Sequence, residues 1–177
     1  MSKTIWHNAN SFKINELPKN ARYWLQERTS LTQRLRAHCG TSFQVEVLKQ
    51  NWQHPLPTEA RLLNVPLRQY VRVRQVYLHC HQQPWVFAQT VIPQCTLTGA
   101  YRRLMRLGTY PLGAVLFAHH LLQRSDLQFA KIQPGEVLYT LATAKLKYAP
   151  PLLWGRRSIF YLTEKKPLLV CEVFLFL

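Results

Sequence analysis

Acidic residues are scarce in this sequence: eight Asp and Glu stand against 23 Lys and Arg in 177 residues, a formal net charge of +15 at pH 7. Such an excess favours anionic partners, whether nucleic acid, an acidic membrane surface or a small polyanion. The cations are nevertheless dispersed, as Arg34 and Arg36, Arg102, Arg103 and Arg106, Lys145 and Lys147, Arg156 and Arg157, and Lys165 and Lys166. No basic tail, RGG tract, zinc-finger spacing or RNP pattern gathers them, so most of the charge reads as solvated surface. No apolar run approaches the ~18 residues needed to cross a bilayer. The opening MSKTIWHNANSFKINELP has no apolar stretch of signal-peptide type, and a cytoplasmic protein is expected. There is no glycine-rich phosphate loop, no internal repeat and no low-complexity tract. No Ser-His-Asp or Cys-His arrangement stands out.

The four cysteines, Cys39, Cys80, Cys95 and Cys171, lie far apart and form no CxxC. In a chain without a secretion signal they read as reduced thiols. The cluster HCH, His79 to His81, invites a zinc reading, but alternate residues of a strand point to opposite faces. His119 and His120 are adjacent and suit a metal no better. Structural zinc needs four convergent ligands, so no metal site is expected.

What is present is enough for one core. A hydrophobic fraction of 47% over 177 residues predicts a single domain spanning 1–177, with residues 1–16 as an irregular lead-in. PKNARYWLQERTSLTQRLRAHCG predicts two helices meeting near Leu31, with Pro18 at the start, Thr29 or Ser30 as a cap and Gly40 as the stop. FQVEVLKQ alternates as a strand, and Thr58 can cap a turn or two of helix in the proline-punctuated stretch that follows. Two strands are expected at about 67–79 and 85–92, joined by a tight polar turn. A helical period in TLTGAYRRLMRLG puts Leu104 and Leu107 inward, and a short helix begins near Pro111. Further strands are predicted in LQRSDLQFAKI, EVLYTLATAKLKY, WGRRSIFYLT and PLLVCEVFLFL, the last two flanking the turn TEKKP. Short connections imply antiparallel pairing. The fold class is α+β: one antiparallel sheet of about six strands with helices packed on one face.

The last strand carries a puzzle. Glu172 shares a strand face with Leu168, Val170, Phe174 and Phe176, and the opposite face is equally apolar. A carboxylate there must find partners or take up a proton. It is either held by a structural arginine or backbone amides, or it belongs to a site.

At this point the sequence resembles a known family. PW followed by TVIP and a Thr-Leu pair, then LGTYPLG, LWGRRSIFYL and KPLLVCEVFL are similar, in order and approximate spacing, to the chorismate–pyruvate lyase (chorismate lyase) family, over roughly residues 20–176. The resemblance implies a six-stranded antiparallel sheet with helices over one face, a monomer, and no metal or cofactor. It implies the activity as well: conversion of chorismate to 4-hydroxybenzoate and pyruvate, the first step of ubiquinone synthesis. The family's substrate residues carry over as Arg74 in YVRVRQV for the ring carboxylate and Glu172 for the ring hydroxyl. Backbone contacts carry over to Leu112 and to Leu31, the latter where the family commonly has methionine. The stretch from about Ser125 to Pro151 is longer than in compact members, and an extended strand pair is expected there.

The residue types suit that chemistry. An arginine fork matches a carboxylate in a bidentate way. Alternation alone places Arg68, Tyr70, Arg72, Arg74 and Val76 on one face and cannot choose Arg74 over Arg72; the resemblance does. Glu172 would orient the hydroxyl and could relay the proton lost from the adjacent carbon. Arg156 and Arg157 would either meet a second carboxylate or hold the sheet edge, the structural reading being favoured. Two other classes compete. One is a non-catalytic effector-sensing module of the same fold, which in a regulator follows a winged helix; only about twenty residues precede the shared region here. The other is a basic nucleic-acid-binding protein, for which no recognition signature is found.

Overall fold

The structure is a computed structural model that describes residues 3–9, 11–12, 17–118, 122–163 and 166–177. Two helices follow a short N-terminal stretch. Helix α1 (Lys19–Leu25) follows Pro18 and buries Ala21, Trp24 and Leu25. Helix α2 (Leu31–Cys39) is capped by Ser30, whose hydroxyl accepts from the Gln33 amide, and it stops at Gly40, which has φ +57°. Its buried residues Leu31, Thr32, Leu35 and Cys39 form one stripe against the sheet.

The sheet is built from strands β1 (His7–Asn8), β2 (Gln44–Gln53), β3 (Val71–Cys80), β4 (Gln83–Pro93), β5 (Gln123–Arg124), β6 (Gln128–Ile132), β7 (Leu153–Tyr161) and β8 (Pro167–Phe174). Their order is β1-β6-β7-β8-β4-β3-β2, with β5 also paired to β7, and every pairing is antiparallel. The single antiparallel sheet is as expected, but it has eight strands rather than about six. The two extra ones, β1 and β5, are two residues long each and carry no alternation to read. Strand β1 also places order within the lead-in, pairing His7 with Phe129. Strands β3 and β4 are joined by His81 and Gln82, both at positive φ, the geometry of a two-residue hairpin turn.

Alternation sorts the sheet residues into two faces. One bears Arg74, Val76, Leu78, Ala88, Thr90, Val170, Glu172 and Phe174 and is covered by α1, α2, the 3-10 stretch Gly99–Arg106 and α4 (Leu112–Phe117). The other bears Val73, Tyr77, Phe87, Val91, Leu169, Cys171 and Val173 and packs against α3 (Pro57–Leu63) and α5 (Val137–Thr143). The larger helical layer lies over one face as expected, and these two short helices add cover to the second.

Two expectations are corrected. Within EVLYTLATAKLKY, Val137–Thr143 is helix α5, not a strand, so the long stretch before β7 is strand then helix rather than an extended pair. Its Leu138, Leu141 and Ala142 lie on one helical face against Ala130 and Ile132, and that packing outweighs the strand preference of Val137 and Tyr139. Cys39 and Cys80 are not reduced thiols: they form a disulfide that ties the end of α2 to the end of β3, with Cα atoms 5.4 Å apart. Forty-one residues separate them in sequence, and only the docking of α2 on the sheet brings them together. Cys95 and Cys171 are free. The HCH cluster is thereby dispersed, with His79 Nε2 against Glu46 Oε2 at 3.0 Å and His81 Nδ1 against Ser42 Oγ at 3.1 Å. Among the described residues no three His, Cys, Asp or Glu side chains converge; His119 and His120 lie outside them. Among the same residues no helix is long and apolar enough to cross a membrane.

Candidate active site

The register of the central strands lays out two rows on the face beneath α2 and α4. Arg74, Thr90, Val170 and Ser158 pair in sequence across β3, β4, β8 and β7. One pleat further along, Val76, Ala88, Glu172 and Arg156 do the same. Arg74 and Glu172 are therefore two strands and two residues apart on the same face, about 12 Å between Cα atoms by ordinary sheet spacing. Both side chains line one cavity, whose floor is Val76, Ala88, Thr90 and Val170. Its roof is made by the N-terminal turns of α2 and α4, with Leu31 and Leu112 among its walls. All four residues singled out in the sequence thus meet in one place. The hollow measures about 560 Å³ with its mouth included.

Arg74 is buried, 4% exposed, between main-chain groups of the 3-10 exit. Its Nη2 donates to the Gly108 carbonyl at 2.9 Å and the Tyr110 carbonyl at 3.3 Å, while its Nε is buried without a partner. Burial pulls its pKa down to about 10, so the guanidinium stays charged at neutral pH while carrying an unmet desolvation cost. A carboxylate is the ligand that such a group lacks. Gly108, at φ +52°, turns the chain so that its carbonyl can meet Arg74.

Glu172 answers its puzzle through Arg156, whose Nε donates to Glu172 Oε2 at 2.6 Å. Arg156 is 1% exposed and acts as a hub: its Nη1 donates to the carbonyls of Trp24 and Leu25 at 3.2 Å and of Glu27 at 2.6 Å. The exit of α1 is thereby fixed to the carboxylate, and Arg156 Nη2 remains buried without a partner. Glu27 extends the chain, accepting from Thr29 N and Oγ1 and pairing with Arg34. Arg157 faces away, stacked on Trp6 with its Nε donating to Gln128, as alternation requires. Leu31 and Leu112 are the first residues of their helices, where main-chain N–H groups have no partner within the helix. Gly113 sits against Thr32 and Ser30, so α2 and α4 meet directly above the cavity.

One residue that sequence reasoning missed also lines this cavity: Arg124, the second residue of β5. A two-residue strand leaves no period by which it could have been found. A second hollow lies on the opposite face, among Trp6, Leu138, Leu141, Leu169 and the buried Glu59; Arg157 lines it, and Arg74, Glu172, Leu31 and Leu112 do not. Burial pushes the Glu59 carboxyl up, against hydrogen bonds from the Leu56 amide and Gln89.

An open antiparallel sheet with its larger helical layer on one face, and a pocket between that layer and the sheet, defines an α+β class of domain. Solved structures share the fold. The effector domain of PhnF from Mycobacterium smegmatis aligns with a TM-score of 0.58 over 84% of this chain and 89% of that one, at 13% identity. A GntR-family transcriptional regulator from Bacillus cereus aligns at 0.56 over 76% and 92%, at 12% identity. Sequence similarity is more specific. The chorismate lyase family model matches residues 1–177. A "probable chorismate pyruvate-lyase" of Nitrosomonas eutropha is 42% identical over 158 residues, 89% of this chain and 88% of the relative. One of Methylococcus capsulatus is 40% identical over 152 residues, 86% and 92% respectively. This chain belongs to the chorismate lyase family.

Proposed function

We propose that the protein cleaves chorismate to 4-hydroxybenzoate and pyruvate, the step that commits chorismate to ubiquinone synthesis, with Arg74 and Glu172 as the two poles of its site. The observation that carries this reading is a buried arginine with an unmet Nε and a carboxylate, on one sheet face and lining one hollow. Family membership supports it.

The ring carboxylate docks on Arg74 and the ring hydroxyl on Glu172, assisted by the main chain at Leu31 and Leu112. In the reaction the ether C–O bond breaks and its electron pair leaves with the enolpyruvyl oxygen. The hydrogen on the hydroxyl-bearing carbon departs as a proton, the ring becomes aromatic, and the leaving enol takes up a proton to become pyruvate. Aromatisation drives the step, so position and charge placement suffice without a nucleophile. Glu172, held in place by Arg156, lies at the carbon that loses the proton and is suited to carry it away. Helices α2 and α4 roof the hollow, so they part to admit substrate and to let an aromatic product leave, which makes release slow.

Mixing the purified protein with chorismate and following pyruvate and 4-hydroxybenzoate tests the activity directly; absence of both products would overturn it. Glu172→Gln is expected to lower the single-turnover rate by about 10²–10⁴-fold if the carboxylate moves the proton. An unchanged rate would leave Glu172 an orienting group only.

A further inference from the structure

The substrate of the proposed reaction is a dianion, and the site described so far answers one of its charges. The second carboxylate belongs to the enolpyruvyl group. It is attached to the ring carbon next to the one bearing the hydroxyl, so in the pose above it lies beside Glu172 and away from Arg74. A cation is needed at that end.

Resting on that reading, we infer that Arg124 is a substrate-binding residue that holds the enolpyruvyl carboxylate and so distinguishes chorismate from 4-hydroxybenzoate. Arg124 pairs with Phe160 on the outer side of β7 and reaches over the same face as Glu172. Its guanidinium is fixed on three sides. Its Nε donates to Ser158 Oγ at 2.8 Å, Nη1 donates to the Arg28 carbonyl at 2.9 Å, and its central carbon stands 4.8 Å from the Phe160 ring centroid. Ser158 ends the same cross-strand row that begins at Arg74, so the two arginines face each other along the length of the cavity with Glu172 between them, one pleat to the side. That is the disposition of a hydroxyl flanked by two carboxylates.

The charges of the cavity point the same way. Of its three arginines, Arg156 is paired with Glu172. Among the described residues no carboxylate bonds Arg74 or Arg124, whose partners are carbonyls and a hydroxyl. Two unneutralised guanidinium groups at opposite ends match a dianion and leave one in excess for the monoanionic product. Burial lowers the Arg124 pKa to about 10, and Glu172 is the strongest influence opposing the shift, which places the two groups within electrostatic reach. The buried Nη2 of Arg156 has no partner and is a further donor on a residue that lines the cavity.

The test compares the two ligands on Arg124→Gln and Arg124→Lys. With Arg124→Gln, the KM for chorismate is expected to rise about 10- to 100-fold, the value of one charged hydrogen-bonded contact. The inhibition constant of 4-hydroxybenzoate should stay within about twofold, and Arg124→Lys should recover part of the loss. Equal weakening of both ligands, or an unchanged KM, overturns the inference. Should the Gln variant fail to fold, the wild-type enzyme serves with 3-(carboxymethoxy)-4-hydroxybenzoate, an aromatic dianion of the same outline. Tighter binding than 4-hydroxybenzoate, with the advantage reduced but not abolished by Arg124→Lys, supports the second carboxylate site; binding no tighter than the monoanion refutes it. A wild-type protein that makes no pyruvate from chorismate would instead refute the proposed reaction, a distinct outcome.

Discussion

Replacing Arg156 by leucine should be among the most damaging single changes in the protein, and the reason is calculable from its partners. The side chain is 1% exposed and serves four acceptors, the Glu172 carboxylate and three main-chain carbonyls at the end of α1. Leucine leaves all four without it and strands a carboxylate whose side chain is only 14% exposed. Removing one partner of a buried pair costs about 3–5 kcal/mol, mostly the penalty of the charge left behind. For a domain of this size each kcal/mol lowers Tm by roughly 2–4 °C, giving a loss on the order of 6–20 °C. Urea unfolding should show the midpoint falling with m unchanged. The distinctive signature is in the double variant Arg156→Leu with Glu172→Leu, which leaves no uncompensated carboxylate. It should regain part of the loss, with a coupling energy of about 1–3 kcal/mol in the double-mutant cycle. A loss under about 1 kcal/mol for Arg156→Leu, or strict additivity of the two changes, would refute the view that one arginine both holds α1 to the sheet and supports the acid of the site.

The Cys39–Cys80 bridge closes a 41-residue loop, and on chain-entropy grounds its reduction should cost about 4 kcal/mol. Titration of thiols in denaturant should count two before reduction and four after, and an unchanged urea midpoint on reduction would deny the bridge that stabilising role. Gly113→Ala puts a methyl group 2.8 Å from Thr32 Oγ1 and 3.2 Å from Ser30 Oγ, forcing α2 and α4 apart above the cavity. It should cost about 1–3 kcal/mol in stability and speed product release in stopped-flow measurements; slower release would show that the helices are not the gate. Burial pushes the Glu27 carboxyl up, but the Thr29 donors, Arg34 and Arg156 outweigh it and hold its pKa below the ordinary 4.5. A depressed carboxylate pKa gives stability that is present above 4.5 and lost as pH falls below it through the folded value. Glu27→Gln should therefore be less stable at neutral pH and have a shallower acid limb; parallel stability–pH curves would remove Glu27 from that limb.

The long strands are legible in the sequence because alternation sustained over eight or more residues seldom arises except in a half-buried strand. The same signal misleads at residues 137–143, where Val137, Tyr139 and Leu141 alternate as in a strand while Leu138, Leu141 and Ala142 keep a helical spacing. Only the available surface on Ala130 and Ile132 decides between them. The disulfide is illegible for a related reason, since two isolated cysteines become neighbours only once a helix lies across a sheet. Arg124 stands on too short a strand to carry any pattern.

The arginines show where a period stops being informative and register takes over. Alternation offers candidates in pairs and cannot choose within them. Arg72 and Arg74 share a face, yet Arg72 pairs with Ile92, past the last β4–β8 pair at Val91 and Leu169, whereas Arg74 pairs with Thr90 inside the cavity floor. Arg156 and Arg157 differ by face, and the face matters only because Glu172 is on one of them. That second choice is within reach of the sequence: β7 and β8 form a hairpin in which paired residue numbers sum to 328, from Tyr161 with Pro167 to Trp154 with Phe174. A turn assumed to centre midway between Tyr161 and Pro167 sets Arg156 opposite Glu172 directly. For Arg74 no such rule operates, because the contact with β8 runs through β4 and depends on a non-local pairing that no turn dictates. The pairing of Glu172 with Arg156 is thus a local consequence of one hairpin, while the placement of Arg74 is a consequence of the whole sheet. Substitutions at Leu162, Thr163 or Lys166 that shift the hairpin by one residue would consequently separate Glu172 from Arg156 while leaving Arg74 in place.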